Sequence, residues 1–238
     1  MEITIDVALV RAILAEEAER TRAELRSVGP LRALGASQSR HDARIAVAPD
    51  VGTLACREGC TWCCHFSVDV RAVEAFRILE FIERELDAAT RARIEESIRA
   101  NSATLRHLDE MERMRHNVRC AFLDEGRCLI YPVRPQTCRN YHATDAAGCR
   151  QSYEDPDNLD IDPEFAPYVY QAGTAHVDGF SRALRAEGFD DRVYELHAAL
   201  EAALDNPAAQ VRFAAKAEPF PTLCGREVPE EFADLDED

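Results

Sequence analysis

Cys56-Arg-Glu-Gly-Cys60-Thr-Trp-Cys63-Cys64 places four thiols in nine residues, and the reading of the whole chain turns on this stretch. Such a density is not ordinary core packing, where cysteine is a small buried hydrophobe used singly. Four more cysteines lie between Cys120 and Cys149, and a ninth is Cys224. Cys60-x-x-Cys63 has the spacing at which a tight turn lets two thiolates share one metal, as in zinc and iron–sulfur sites. Cys64 adjoins Cys63, and neighbouring side chains diverge, so the pair serves two metals more easily than one, or one metal plus a free thiol. The candidate metal ligands are Cys56, Cys60, Cys63, Cys64, Cys120, Cys128, Cys138 and Cys149. They supply two four-cysteine zinc sites, or one iron–sulfur cluster and a second site. Soft thiolates select both zinc and iron, so ligand count leaves the choice open.

The rest of the composition narrows the context. The 238 residues suffice for one sizeable core, and 46% apolar residues with only 10 glycines indicate a globular fold. Asp and Glu total 44 against 28 Lys and Arg, a formal charge of −16. That field repels phosphate backbones, so no nucleic-acid partner is expected. No apolar run approaches the roughly 18 residues a membrane helix needs, so no membrane partner is expected either. Met1-Glu-Ile-Thr-Ile-Asp6 does not read as a secretory leader, and a cytoplasmic location is expected. In a reducing compartment clustered thiols point to metal or catalysis rather than disulfides, and an odd number of cysteines fits that reading.

Along the chain, residues 5–28 read as an amphipathic helix with Leu9, Val10, Ile13, Leu14, Ala18 and Leu25 on one stripe, ended by Gly29-Pro30. Residues 31–50 read as a connecting loop, with a short strand at 45–48. Ser67 and Asp69 read as caps for a helix over 70–86, and a second helix is expected over 90–115, the two forming a hairpin across Asp87-Ala-Ala. Cys120-Ala-Phe-Leu-Asp-Glu-Gly-Arg-Cys128-Leu-Ile-Tyr131 reads as strand–turn–strand. A three-residue turn at Asp124-Glu125-Gly126 would put Cys120 and Cys128 on one face, and a two-residue turn would oppose them. Cys138 is placed on a short turn or helix and Cys149 in a loop. Further helices are expected from Asp162-Pro163 to about Glu187 and over 191–204, followed by a disordered acidic tail with seven acids in the last twelve residues.

Cys-x-x-x-Cys-x-x-Cys-Cys, Cys120-Ala-Phe-Leu, and Cys128-Leu-Ile-Tyr131-Pro-Val-Arg134-Pro135-x-x-Cys138-Arg139-x-Tyr141 together resemble the YkgJ-like cysteine-cluster family. Three residues separate the first two cysteines here where the family's short name has two, and Ala121 stands where proline is expected. The resemblance covers about Cys56 to Cys149. It implies a domain of eight characteristic cysteines that chelates zinc or iron, and hence metal ions as partners. Whether the chain is an enzyme stays open. Cys56-x3-Cys60-x-Trp62-Cys63 also has the spacing of the cluster motif of radical S-adenosylmethionine enzymes, and some relatives by resemblance are flagellin lysine methylases. The alternative function is therefore an iron–sulfur, S-adenosylmethionine-dependent protein methylase. A third reading is a redox or metal sensor in which one labile thiol, such as Cys64, responds to oxidation.

Neighbouring residues have plainer readings. His65 and His142 are adjacent to ligands rather than ligands, because thiols are already plentiful. Trp62 packs over the site, Tyr141 is a packed aromatic, and Cys224 is a small buried residue. Arg134 and Arg139 support the turn through backbone carbonyls. Arg57, Arg119, Arg127, Arg134, Arg139 and Arg150 also stand near cysteines, where they would offset an anionic metal–thiolate centre. The fold class expected is mainly α with a small cysteine-rich metal-binding module containing a β-hairpin (α+β, irregular). Its parts are an N-terminal helix and loop (1–50), the cysteine module with its helical hairpin (51–152), C-terminal helices packing on the same core (153–224), and the tail (225–238).

Overall fold

The computed structural model of the chain describes residues 4–232. In chain order its elements are α1 (Val7–Ser27), α2 (Pro30–Ala46), β1 (Asp69–Arg71), α3 (Ala72–Glu85), α4 (Ala88–Leu105), α5 (Glu110–Met114), β2 (Leu123–Asp124) and β3 (Arg127–Cys128). They continue through α6 (Gln136–Asn140), α7 (Ala146–Glu154), α8 (Pro167–Ala186), β4 (Val193–Glu195), α9 (Leu196–Asp205) and α10 (Ala208–Ala214). The fold is mainly helical with very little strand, as the sequence indicates. Among the described residues no helix is long and apolar enough to cross a membrane.

Two helical groups share the interior. In the first, α1, α2 and α8 pack together. The Asp6 carboxylate caps α1 by accepting from Leu9 N at 3.0 Å. Gly29, at φ 82°, and Pro30 at the first helical position turn the chain straight into α2. This corrects the loop-and-strand expectation for 31–50. The inward face of α2 carries Ser37, Gln38 and His41 among Ala33, Leu34 and Ile45, so its helical period is polar and invisible to an apolar count. Gly179 lets α8 press on α1: a Cβ there would stand 2.7 Å from the Leu14 carbonyl oxygen. In the second group α3 and α4 pack against α9, with β1 pairing antiparallel to β4 in the register Asp69↔Glu195, Val70↔Tyr194, Arg71↔Val193. The largest buried cluster joins both groups to the hairpin and includes Leu34, Phe76, Ile98, Phe122, Ile130, Phe180, Leu200 and Phe213.

Several boundaries differ from expectation, each for a local reason. The helix expected over 90–115 ends at Leu105, and α5 restarts it under its own cap, Asp109 accepting from Glu112 N at 2.9 Å. The 70–86 helix begins later, after β1. Its first turn is closed by Glu74, which accepts from Arg71 N at 2.8 Å, so neither Ser67 nor Asp69 caps it. The helix expected from Asp162-Pro163 starts instead at Pro167, whose proline is equally suited to the first position. At its far end Gly188, φ 77°, is the stop. The expected disordered tail is not seen up to Phe232, which is buried against α1 and α8, while Arg226 pairs with Val193. Residues 233–238 lie outside the described ones.

Candidate metal centre

Three backbone clamps hold the first cysteine loop. Ala55 N donates to Ala143 O at 2.9 Å at its start, and Val118 N and Cys120 N donate to His65 O and Cys64 O at 2.9 and 2.8 Å at its end. Between them, Gly59 takes φ 88° in the turn closed by Cys60 N to Arg57 O, 3.0 Å. A 3₁₀ turn over Trp62–His65 then carries Cys63 and Cys64. A side chain at position 59 would be strained in that left-handed conformation, so glycine belongs there.

The second half of the site comes from the hairpin and α6. Leu123 pairs with Cys128 and Asp124 with Arg127, leaving Glu125 and Gly126, at φ 45° and 79°, as a two-residue turn. The three-residue turn is therefore not formed. Strand alternation alone would oppose Cys120 and Cys128, yet the two thiols lie within electrostatic reach of each other. The reason is that the ladder is only two residues long. Cys120 lies in a separate turn, closed by Leu123 N to Cys120 O at 3.1 Å, outside the ladder's alternation. Cys138 rides on α6, whose N-terminus is pinned to α3 and β1: Gln136 N donates to Glu74 Oε1 at 2.7 Å, and Thr137 Oγ1 to Asp69 O at 3.0 Å. Cys149 is not in a loop but on α7, capped by Asp145 accepting from Ala147 N and Gly148 N at 2.8 and 3.0 Å.

The thiols fall into two neighbourhoods. Cys138 stands in electrostatic reach of Cys120, Cys128 and Cys64, and Cys64 also acts on Cys120 and Cys128. On the other side Cys149 feels Cys56 and Cys60, while Cys56 feels Cys60 and acts on Cys63. Cys63 stands between the two neighbourhoods, acted on by Cys138 as well as by Cys56, and it shares one hydrogen bond with Cys64. That bond lowers Cys64 to about 7 and raises Cys63. Elsewhere burial dominates: it pushes Cys120 up to about 12, Cys149 to about 11, and Cys56, Cys128 and Cys138 upward as well. Thiols held neutral by desolvation become thiolates when a cation offsets the charge.

Cys149 is buried and the other seven candidates are partly accessible. Among the described residues no three His, Cys, Asp or Glu side chains are drawn to a common point as tightly as an ion requires. The donor set nonetheless fits zinc or iron in kind, being all sulfur. Cys224 is exposed, against the expectation that it is buried, and its place is on the far side of β1 and β4 beside Arg226. Sequence distance gives no hint of that, because the tail returns to pair with Val193.

The surroundings largely match their plainer readings. Trp62 and His65 both pack on Tyr153, at 5.5 and 4.9 Å between ring centroids, and burial lowers His65 and His142. Tyr141 is packed between Phe66 and Phe165. Arg134 Nη1 donates to Tyr131 O at 3.1 Å and Arg139 Nη2 to Pro132 O at 2.9 Å, supporting the turn. Arg139 is buried and also pairs with Asp42. Of the flanking arginines, Arg119 and Arg134 act on the thiols of Cys120 and Cys128, whereas Arg127 and Arg150 are paired with Glu58 and Glu154. Glu74 escaped the sequence reading. Its signal was a glutamate three residues after the last extended residue, at the third position of a helix.

Residues 55–161 match the model of a family described as "CxxCxxCC: Putative zinc- or iron-chelating domain", which is the cysteine-cluster family the motifs resemble. No curated protein and no solved structure matches the chain.

Proposed function

We propose, from the premise that residues 55–161 are a zinc- or iron-chelating domain of the cysteine-cluster family, that the chain is a metal-binding protein with two thiolate centres. One is built from Cys56, Cys60, Cys63 and Cys149, the other from Cys64, Cys120, Cys128 and Cys138. The observation that supports this reading is that Cys138 lies in electrostatic reach of Cys64, Cys120 and Cys128 while Cys149 lies in reach of Cys56 and Cys60. Cys63, which Cys138 and Cys56 both reach, stands between and completes the first set. Each group draws on segments far apart in sequence, so a bound ion would tie them together. Arg119 and Arg134 offset charge on the second group. The S-adenosylmethionine reading is the weaker one. Its cluster motif would leave one iron open, but Cys149 lies in electrostatic reach of Cys56 and Cys60 and would supply a fourth thiol.

Anaerobic purification, elemental analysis and an ultraviolet–visible spectrum test the proposal. About two zinc ions per chain without a visible band fit two closed tetrathiolate sites. Iron with inorganic sulfide and a brown band fits a cluster in one or both. Cys60→Ser and Cys128→Ser should each remove about half of the metal, and Cys224→Ser none. Loss of all metal from either single variant would point to one shared centre, and absence of metal throughout would overturn the reading.

A further inference from the structure

Away from the cysteines, a groove of about 500 Å³ opens where the α1–α2 corner meets α3 and α10. Its floor is apolar: Phe76, Val133 and Phe213 are buried, with Leu31 and Phe81 forming half-buried walls. That size and lining suit a small organic ligand better than bulk water. What sets the groove apart in a chain of net charge −16 is its rim, where Arg32, Arg77 and Arg84 outnumber Glu80.

Arg84 is neutralised by Glu85 at 2.7 Å, but the other two arginines are not paired. Among the described residues neither Arg77 nor Arg32 makes an ion pair. The Arg77 guanidinium is half-buried and bonds only neutral oxygens, Gln38 Oε1 at 3.0 Å from Nε and Leu31 O at 3.4 Å from Nη1. Its position is built into the fold. A Cβ at Gly35 would stand 2.8 Å from both Nη atoms, so glycine there makes room for the guanidinium. A half-buried cation held by neutral groups carries a desolvation cost that an anion would offset. Burial does push its pKa down, with Glu80 opposing and Arg139 and Arg84 adding to the effect.

We propose that this groove binds a small amphipathic carboxylate, its apolar body on Phe76, Phe81, Val133 and Phe213 and its anionic head against Arg77 and Arg32. The head would exchange water for charge-assisted hydrogen bonds from a planar guanidinium, the geometry that suits carboxylates. The apolar body would supply most of the affinity, and the arginines the choice of charge. This site is independent of the metal centres.

Isothermal titration calorimetry with octanoate, octylammonium and acetate on the metal-loaded chain tests the proposal. Octanoate should saturate one site, octylammonium should bind at least tenfold more weakly despite the acidic protein, and acetate should not bind measurably. Arg77→Met, which keeps the aliphatic stem, should weaken octanoate at least tenfold, and Arg32→Met about threefold. Arg32 is exposed, so its variant leaves the fold intact and decides the matter if Arg77→Met does not fold. No octanoate saturation up to millimolar concentration, equal binding of octylammonium, or unchanged affinity in both variants would overturn the proposal.

Discussion

The α1–α2–α8 group and the cysteine module are held together by different things. The first packs long helices, with Gly179 letting α8 approach α1, around apolar side chains and a buried polar network. In that network Arg40 bridges Glu17 and Glu24 at 2.7 and 2.6 Å, and His176 bonds Ser37. The module has a two-residue ladder, a 3₁₀ turn and short helices, and its interior is lined by thiols. One region stands on burial, whereas the other joins the main apolar cluster through Phe122, Ile130 and Val133 and lines the rest with sulfur. The contrast teaches where a ligand is needed for order.

The largest effect should therefore come from stripping the metal. Chelation under reducing conditions should raise amide exchange across 54–66 and 117–153 to near unprotected rates while α1 and α8 stay protected. Hydrogen–deuterium exchange with mass spectrometry reads this directly. Global loss of protection, or none anywhere, would break the distinction between the regions.

Next in size is the reverse perturbation. Phe180 on α8 is completely buried in the main cluster, and Phe180→Ala should cost about 3–5 kcal/mol of stability. Metal stoichiometry of the folded fraction should not change. A loss of metal in proportion to stability would mean that the cluster Phe180 shares with Phe122 and Ile130 of the hairpin shapes the site.

A somewhat smaller effect is expected from acid. His176 has no exposed surface, and burial lowers its pKa to about 4, with Glu17 opposing and Arg44 and Arg40 assisting. The unfolded chain takes up this proton near 6.5 and the folded one only near 4. The contribution is fully present above 6.5 and is lost as pH falls through that window, up to about 3 kcal/mol in all. Denaturant melts of the wild type and His176→Gln from pH 7 to pH 4 should diverge in slope. Parallel slopes would remove His176 from the account.

The contrast also explains what was legible in the residues. Helices α1 and α3 announced themselves because their buried faces are apolar at helical spacing. α2 did not, because Ser37, Gln38 and His41 face inward and bond His176, Arg134 O and Asn140 from distant segments. In the module the candidate thiols were evident from spacing, but their grouping was not. A ladder of two residue pairs imposes no alternation on Cys120, and only the fold brings Cys149 beside Cys56. Glu74 was missed for the same reason, since its partners, Arg71 N and Gln136 N, are separated by 65 positions in sequence.

Glu74 offers the finest test because it joins the two regions. Its buried carboxylate accepts Arg71 N on one oxygen and Gln136 N on the other, fixing the start of α3 and the start of α6 together. Glu74→Gln keeps the volume but replaces one acceptor with an amide donor, so one backbone N–H is left facing another N–H. The expected cost is about 1–3 kcal/mol, the penalty of an unsatisfied buried donor. Whichever way the amide turns, the strain is relieved most cheaply on α6, a helix of only five residues, rather than on α3 inside the core. Cys138 should then react faster with a thiol reagent in the metal-free chain, while protection of α3 is retained. Equal loosening of both helices would show that the module's second thiol group is an extension of the body and not a region held by its own ligands.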